Sequence, residues 1–407
     1  MPVERRAPST IRVLLLESIH PDAAAILSKA GYQVELAGHA LSEPELMARL
    51  GEVDVLGVRS NTHVSATAFD AAPHLLAVGA FCIGTNQVDL AAASRHGVAV
   101  FNAPFSNTRS VVELVIAEII ALHRGLTVKD RQMHEGTWDK SAKGSHEVRG
   151  RRLGIVGYGN IGSQVSVLAE ALGLSVWFYD TADKLALGNA KACSSLEELL
   201  ETVDVVTLHV DGRPSNNGLF GEPEFSRMRS GSIFLNLSRG FVVDHGSLRR
   251  HIESGHIAGA AIDVFTEEPK RPGEVFSSDL RGLHNVILTP HVGGSTEEAQ
   301  RDIGRFVAGK LHDYLALGST SLSVNLPDLA LPPRAGGFRV TQVHANVPGV
   351  LATINGLFAS HDMNIEGQYL ATRGDIGYVI TDTSSDFPRD LLAALSALPA
   401  TVRLRAL

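Results

Sequence analysis

The sequence predicts an α/β protein made of two Rossmann- or flavodoxin-like doubly wound parallel-sheet domains followed by a C-terminal ferredoxin-like module. Three observations predict it. Short β-branched runs alternate with helical patterns from Ile11 to Pro104, the alternation restarts at Arg151 and continues to about His291, and the last 70 residues read strand, helix, strand, strand, helix, strand.

In the first stretch, strands are expected at Ile11–Glu17, Tyr32–Leu36, Val53–Arg59 and Leu75–Phe81, with helices at Pro21–Ala30 and Glu43–Leu50. Helical crossovers join parallel strands. A long helix from Arg109 to Gly125 follows. Its residues Val111, Val112, Leu114, Val115, Ile116, Ile119 and Ile120 make it apolar nearly all round, which predicts burial against a second domain or subunit. The second series opens with Arg151-Arg152-Leu153-Gly154-Ile155-Val156. The helix Glu297–Leu317 is expected to return to the first domain. This divides the chain into a discontinuous substrate domain (1–107 and 297–330), an inserted dinucleotide domain (108–296), a linker (331–337) and a terminal module (338–407). The linker, Leu331-Pro332-Pro333-Arg334-Ala335-Gly336-Gly337, has the prolines and paired glycines of a hinge.

With 407 residues, 44% hydrophobic and 20% charged, the chain can bury several cores. A net charge of −8 with no clustered Lys/Arg run argues against nucleic acid and anionic membrane as partners. Cys82 and Cys193 are the only cysteines, so neither a disulfide framework nor a four-thiolate site forms within one chain, no metal is expected, and a reduced cytoplasm fits. Met1–Thr10 is polar and the apolar run after it is broken by Glu17, which does not make a signal segment.

After the strand Leu153–Val156 comes Gly157-Tyr158-Gly159-Asn160-Ile161-Gly162, then a helix expected over Ser163–Leu172 and a strand Ser175–Tyr179 ending in Asp180. The first glycine permits the tight turn, the second a close approach to a pyrophosphate, and the third helix packing. The diphosphate is favoured at a helix N-terminus, where unpaired N–H groups point outward. Asp180, 18 positions beyond Gly162, suits the ribose hydroxyls and repels a 2′-phosphate, so NAD is preferred to NADP.

Oxidising a secondary alcohol needs a base for the hydroxyl proton and a cation for the neighbouring carboxylate. Arg239 lies in Asn236-Leu237-Ser238-Arg239-Gly240 after the strand Ser232–Leu235. Glu268 lies in Thr266-Glu267-Glu268-Pro269 after Ala261-Ile262-Asp263-Val264-Phe265. His291 lies in Thr289-Pro290-His291-Val292-Gly293-Gly294 after Val286–Leu288. Each follows a strand, where an open parallel sheet presents its crevice.

Together these segments resemble the D-isomer-specific 2-hydroxyacid dehydrogenase family. The resemblance implies His291 as acid/base, Glu268 as its carboxylate partner and Arg239 as the anchor for the substrate carboxylate and carbonyl. It implies further that Ser238, His209 and Gly294 line the cofactor cleft and that Asp263 binds the nicotinamide carboxamide. Two positions depart from the family pattern: Asp211 stands where proline is usual, and Leu237 where a small residue is usual.

For the substrate, Val58-Arg59-Ser60-Asn61 and Phe105-Ser106-Asn107-Thr108-Arg109-Ser110 combine arginines with hydroxyl and amide groups. Two guanidinium groups suit a dianionic phosphate; interface ion pairs are the bland alternative. The runs Phe81–Leu90 and Asn102–Ser110 are similar to those of phosphoglycerate-oxidising members of the family. That implies oxidation of 3-phosphoglycerate with Arg59, Ser60, Asn107 and Arg109 on the substrate, 2-oxoglutarate reduction as a side activity, and a homotetramer in which Trp138 and Lys140 reach a neighbour's site. The C-terminal module resembles an ACT domain, which implies L-serine as effector, held by His344, Asn346 and Asn364, and feedback through the Gly336-Gly337 hinge. Val347 and Phe338 occupy positions that are often basic in such members. A general D-2-hydroxyacid or 2-hydroxyglutarate dehydrogenase is the nearest alternative. An NADH-sensing corepressor is another, and it needs no amino-acid-binding module.

Overall fold

The computed structural model describes residues 5–269, 273–331 and 336–407. Pro332–Ala335 of the expected linker, and the first four residues of the polar N-terminus, lie outside the described residues. The chain divides into two compact units. The first takes the described residues up to Ser106 together with Gln300–Leu407, and the second is Asn107–Ala299.

In the first unit β1 (Arg12–Leu15), α1 (Pro21–Lys29), β2 (Gln33–Leu36), α2 (Glu43–Leu50), β3 (Val55–Val58), α3 (Ala66–Asp70), β4 (Ala77–Ala80), α4 (Leu90–Arg95) and β5 (Ala99–Phe101) alternate. Helix starts are set locally. Ser42 and Glu45 close a capping box at α2, and the Asp89 carboxylate accepts the Ala92 N–H at α4. The strands are parallel in the order β2-β1-β3-β4-β5. β3, β4 and β5 are buried along their whole length, as in a sheet covered on both faces, whereas the edge strand β2 is largely exposed. The winding reverses between β1 and β3, the kind of point where ligands bind beyond the carboxyl ends of strands.

The second unit opens with α5 (Thr108–Arg124). Gly125 ends it in the left-handed region (φ 55°), and a further helix, α6 (Leu126–His134), follows that the hydrophobic pattern does not announce. Val111, Val112, Val115, Ile119 and Leu122 face the unit's core, while Ile120 is exposed, so within this unit α5 is buried on one face and not all round.

Then come β6 (Arg152–Val156), α7 (Asn160–Ala171), β7 (Ser175–Tyr179), β8 (Lys191–Ala192), α8 (Leu196–Thr202), β9 (Val205–Leu208), α9 (Glu222–Arg227), β10 (Ser232–Asn236), α10 (His245–Glu253), β11 (Ile257–Ile262) and β12 (Val286–Leu288). This parallel sheet runs β12-β11-β10-β9-β6-β7-β8, with its reversal between β6 and β9.

Helix α11 (Glu297–Leu317) enters the first unit at Gln300. Beyond it lie β13 (Phe338–Ala345), α12 (Val350–Ser360), β14 (Ile365–Arg373), β15 (Ile376–Thr383), α13 (Arg389–Ala397) and β16 (Thr401–Ala406), an antiparallel sheet in the order β14-β15-β13-β16. One sheet face, with Val340, Val379 and Leu404, packs on Ile354, Phe358, Leu391 and Leu395 of α12 and α13. On the other, Val343, Tyr378 and Ile380 join Val307, Leu311 and Tyr314 of α11. Polar contacts seal that second face. Tyr378 Oη donates to the Gly318 carbonyl at 2.7 Å, Arg405 donates to the Tyr314 and Leu315 carbonyls at 3.2 and 3.0 Å, and Arg403 donates twice to the His96 carbonyl. The sequence presents this module as a separate body beyond a linker; the structure packs it into the first unit.

Candidate active site

The glycine loop follows β6. A Cβ on Gly157, whose φ is 93°, would lie 2.5 Å from the His209 carbonyl oxygen, and one on Gly162 would lie 2.2 Å from the Gly157 carbonyl oxygen. Both positions therefore require glycine. A Cβ on Gly159 would meet nothing within 4 Å, so the space over it is open, and α7 begins directly after it with no side-chain cap. The sequence places the helix start at Ser163. The observed start at Asn160 puts the N–H groups of Asn160, Ile161 and Gly162 in the first turn, a cradle that fits a diphosphate. Asp180 accepts the Tyr158 N–H at 2.8 Å and the Ala182 N–H at 2.9 Å, so it also fixes the loop. His209, beyond β9, shares a hydrogen bond with Thr207 Oγ1 at 3.1 Å through Nε2. Its Nδ1 is buried without a partner among the described residues, and burial pushes its pKa down to about 3, leaving a neutral ring.

The ends of three adjacent strands, β10, β11 and β12, carry the remaining groups. After β10, Asn236 Oδ1 accepts from the Ser238 N–H and hydroxyl at 3.0 and 2.7 Å, and its amide donates to the Arg239 carbonyl at 3.0 Å. This holds Arg239 in extended backbone. A Cβ on Gly240 would sit 2.0 Å from the Phe265 carbonyl carbon, so here the β10 and β11 loops meet backbone to backbone. Asp263, at the end of β11, is buried. Its carboxylate accepts from Thr289 Oγ1 at 2.6 Å and from the Val292 and Gly293 N–H groups at 2.8 Å, and its carbonyl accepts the His291 N–H at 2.8 Å. These bonds hold His291 in the left-handed region at φ 55°, rare for a residue with a side chain.

Glu268 Oε1 accepts the Phe265 N–H at 3.0 Å and Oε2 bonds His291 Nδ1 at 2.8 Å. The hydrogen bond to the Glu268 carboxylate raises the His291 pKa above the ordinary imidazole range, outweighing burial. Burial pushes Glu268 up, but the His291 and Phe265 bonds and the Arg239 charge bring it below the usual carboxylate range. The side chain of His291 is 51% exposed, so Nε2 is open to solvent or ligand. A carboxylate-backed imidazole of this kind can accept a proton and remain stable as the cation.

Gly294 packs against Asn107, whose amide nitrogen would lie 2.0 Å from a Cβ there, and Ser110 and Thr296 share a hydrogen bond at 2.8 Å. Arg109 is exposed and pairs with Glu113 one turn on at 2.6 Å. Arg59, just beyond β3, is partly buried and Ser60 is exposed. Trp138 and Lys140 are exposed on the single chain. In the C-terminal module His344 is buried over Gly377, with Nδ1 bonded to the Ala345 carbonyl at 2.8 Å and Nε2 buried without a partner among the described residues. The Asn346 amide donates to the Gly374 carbonyl at 3.0 Å, and Asn364 is exposed before β14.

Glu118 belongs to none of the motifs of the sequence. It lies on the buried side of α5, both carboxyl oxygens lack a hydrogen-bond partner among the described residues, and burial together with the Asp263 charge pushes its pKa up to about 8. Its signal was a lone acid at helical spacing within an apolar face: Val111, Val115, Glu118, Leu122. No group of acids, histidines and cysteines able to hold a metal occurs among the described residues, and none of their helices is long and apolar enough to cross a membrane.

Residues 116–293 match the NAD-binding domain of D-isomer specific 2-hydroxyacid dehydrogenases, and residues 341–403 match the AHAS small subunit-like ACT domain. The D-3-phosphoglycerate dehydrogenase of Haemophilus influenzae is 49% identical over 400 residues, covering 98% of both chains. This chain belongs to the D-3-phosphoglycerate dehydrogenase family. The Escherichia coli K12 member is 48% identical over 98% of this chain and 97% of its own. Among solved structures, the NAD-dependent formate dehydrogenase of Staphylococcus aureus in complex with NAD is 26% identical, with a TM-score of 0.61 over 75% of this chain and 96% of that one. As a family member the chain is an NAD-dependent dehydrogenase whose second unit contains the NAD-binding domain and whose C-terminal module is an ACT domain.

Proposed function

We propose that the enzyme oxidises 3-phospho-D-glycerate to 3-phosphohydroxypyruvate, the first step of L-serine synthesis, with L-serine as feedback inhibitor. The observation that carries this is the Glu268–His291 pair, from the segments after β11 and β12, under the charge of Arg239, in a chain 49% identical to an enzyme named for that substrate. Arg239 binds the substrate carboxylate and the oxygen on the reacting carbon, and His291 Nε2 accepts the hydroxyl proton. Glu268 stabilises the imidazolium that forms. NAD supplies the hydride acceptor when bound. Gly157, Gly159, Asn160, Ile161 and Gly162 hold its diphosphate, Asp180 its adenosine ribose, and Ser238, His209, Asp263 and Gly294 line the rest of its cleft.

Arg59 and Ser60, with Asn107 and Arg109, are assigned to the substrate's phosphate; Arg109 has to exchange Glu113 for it. His344, Asn346 and Asn364 are assigned to L-serine, and the buried His344 Nε2, without a partner among the described residues, supports that reading. A homotetramer in the cytoplasm, with Trp138 and Lys140 serving a neighbouring subunit, completes the proposal. The test is NADH formation from 3-phosphoglycerate. His291→Ala is expected to lower kcat by roughly 10²–10⁴-fold, and an unaffected variant removes the assignment. Higher kcat/KM for 2-oxoglutarate than for the phosphorylated substrate pair would favour a 2-hydroxyglutarate dehydrogenase.

A further inference from the structure

The first unit holds a buried carboxylate that the proposed reaction does not use. Glu17 follows β1, is 7% exposed, and lies at the winding reversal of its sheet, across from the segment that follows β3. Its Oε1 accepts the Arg59 N–H at 3.1 Å and the Thr62 N–H at 2.9 Å, and its Oε2 accepts the Asn61 N–H at 3.0 Å. Three backbone donors of one short turn thus converge on a single side chain. The Arg59 carbonyl is held from the other side by the Gln87 amide at 2.6 Å, so both ends of that residue's backbone are fixed. Arg59 Nη1 also reaches the Glu17 carbonyl at 3.4 Å.

The backbone at Glu17 is itself unusual. Glu17 and Ser18 both occupy the left-handed region, at φ 59° and 52°. Residues with side chains persist there when their surroundings over-determine them, and such positions cluster at functional sites. Acids are almost never fully buried unless paired. Here a buried acid and two left-handed residues coincide where an open α/β sheet binds ligands, directly beneath an arginine.

We propose that Glu17 is a positioning residue for phosphate recognition. It clamps the turn Arg59–Thr62 so that the Arg59 guanidinium is presented in one orientation. The inference rests on the reading of Arg59 as a phosphate ligand given above. Glu17→Gln tests it sharply. The carboxamide keeps the two bonds at Oε1 but sets a donor against the Asn61 N–H.

The experiment is a double-mutant cycle of Glu17→Gln and Arg59→Ala in the full-length enzyme, with kcat and KM for 3-phosphoglycerate as readouts. Arg59→Ala is expected to raise KM roughly 10–100-fold and Glu17→Gln about tenfold, with kcat within about twofold. In the Arg59→Ala background, Glu17→Gln is expected to add less than about twofold, because residues acting as one unit are not additive. A merely structural role changes neither this split nor this coupling. Equal losses in both backgrounds, or a loss in kcat with KM unchanged, overturn the proposal. A silent Glu17→Gln beside a costly Arg59→Ala overturns it and leaves the phosphate reading standing. An Arg59→Ala that leaves KM unchanged removes both. If Glu17→Gln does not fold, Glu17→Asp, which withdraws the carboxylate by one methylene, enters the same cycle with the same outcomes.

Discussion

His291 is set by two different acids. Asp263 holds its backbone in the left-handed region through the bonds it accepts around Thr289–Gly293, and Glu268 holds its ring through Nδ1. The first decides where Nε2 points and the second decides how basic it is. In the proposed role of His291 as base for alcohol oxidation the ring must be neutral in the free enzyme, so kcat/KM is expected to fall as pH drops through the His291 pKa. Glu268 raises that pKa. Glu268→Gln removes the charge, so the acid limb of the kcat/KM profile is expected to move to lower pH while kcat falls, because the imidazolium loses its stabilising partner. A limb that stays in place, or moves to higher pH, would show that the limb belongs to another group.

At the scale of elements, the contact between the loops after β10 and β11 governs the arrangement of Arg239 and Glu268. Gly240 permits it, since any Cβ there would overlap the Phe265 carbonyl. Gly240→Ala is expected to push these loops apart. Kinetics should show a loss in kcat/KM of about 10²-fold, the scale associated with a 1 Å misplacement, accompanied by a lower melting temperature. Unchanged kcat/KM would mean that the two loops need not touch. The glycine loop, Asp180 and the strand-end residues Arg239 and His291 were legible in the sequence because each lies within three residues of the end of an apolar strand run. Glu17 was not. In the sequence it is only the polar residue that breaks an apolar run, and its three partners lie more than 40 residues away.

At the scale of the molecule, the ACT module is joined to α11 and the first sheet by apolar packing and by carbonyls that receive Tyr378, Arg403 and Arg405. Burial pushes the Tyr378 hydroxyl's pKa up, so it remains a donor to Gly318 over the working pH range. Tyr378→Phe leaves that carbonyl without its donor and is expected to cost about 1–3 kcal/mol of stability by denaturant unfolding, with basal kcat unchanged. A stability equal to that of the unaltered enzyme would show that the contact contributes nothing net.

The periodicities of the sequence by themselves determined the two βα series, the βαββαβ order at the end, the glycine turn and the strand-end positions of the candidate catalytic residues. These follow from local patterns of 2 and 3.6 residues and from the short range of turn chemistry. Only the tertiary structure decided what depends on distant partners. It joined the ACT module to the first unit, buried α5 on one face and not all round within its unit, buried Glu118 without a hydrogen-bond partner among the described residues, and set the Glu17 carboxylate beneath the turn that carries Arg59. A side chain's hydrogen-bond partners are chosen by packing between strands far apart in the chain, and no window of sequence contains both ends of such a bond.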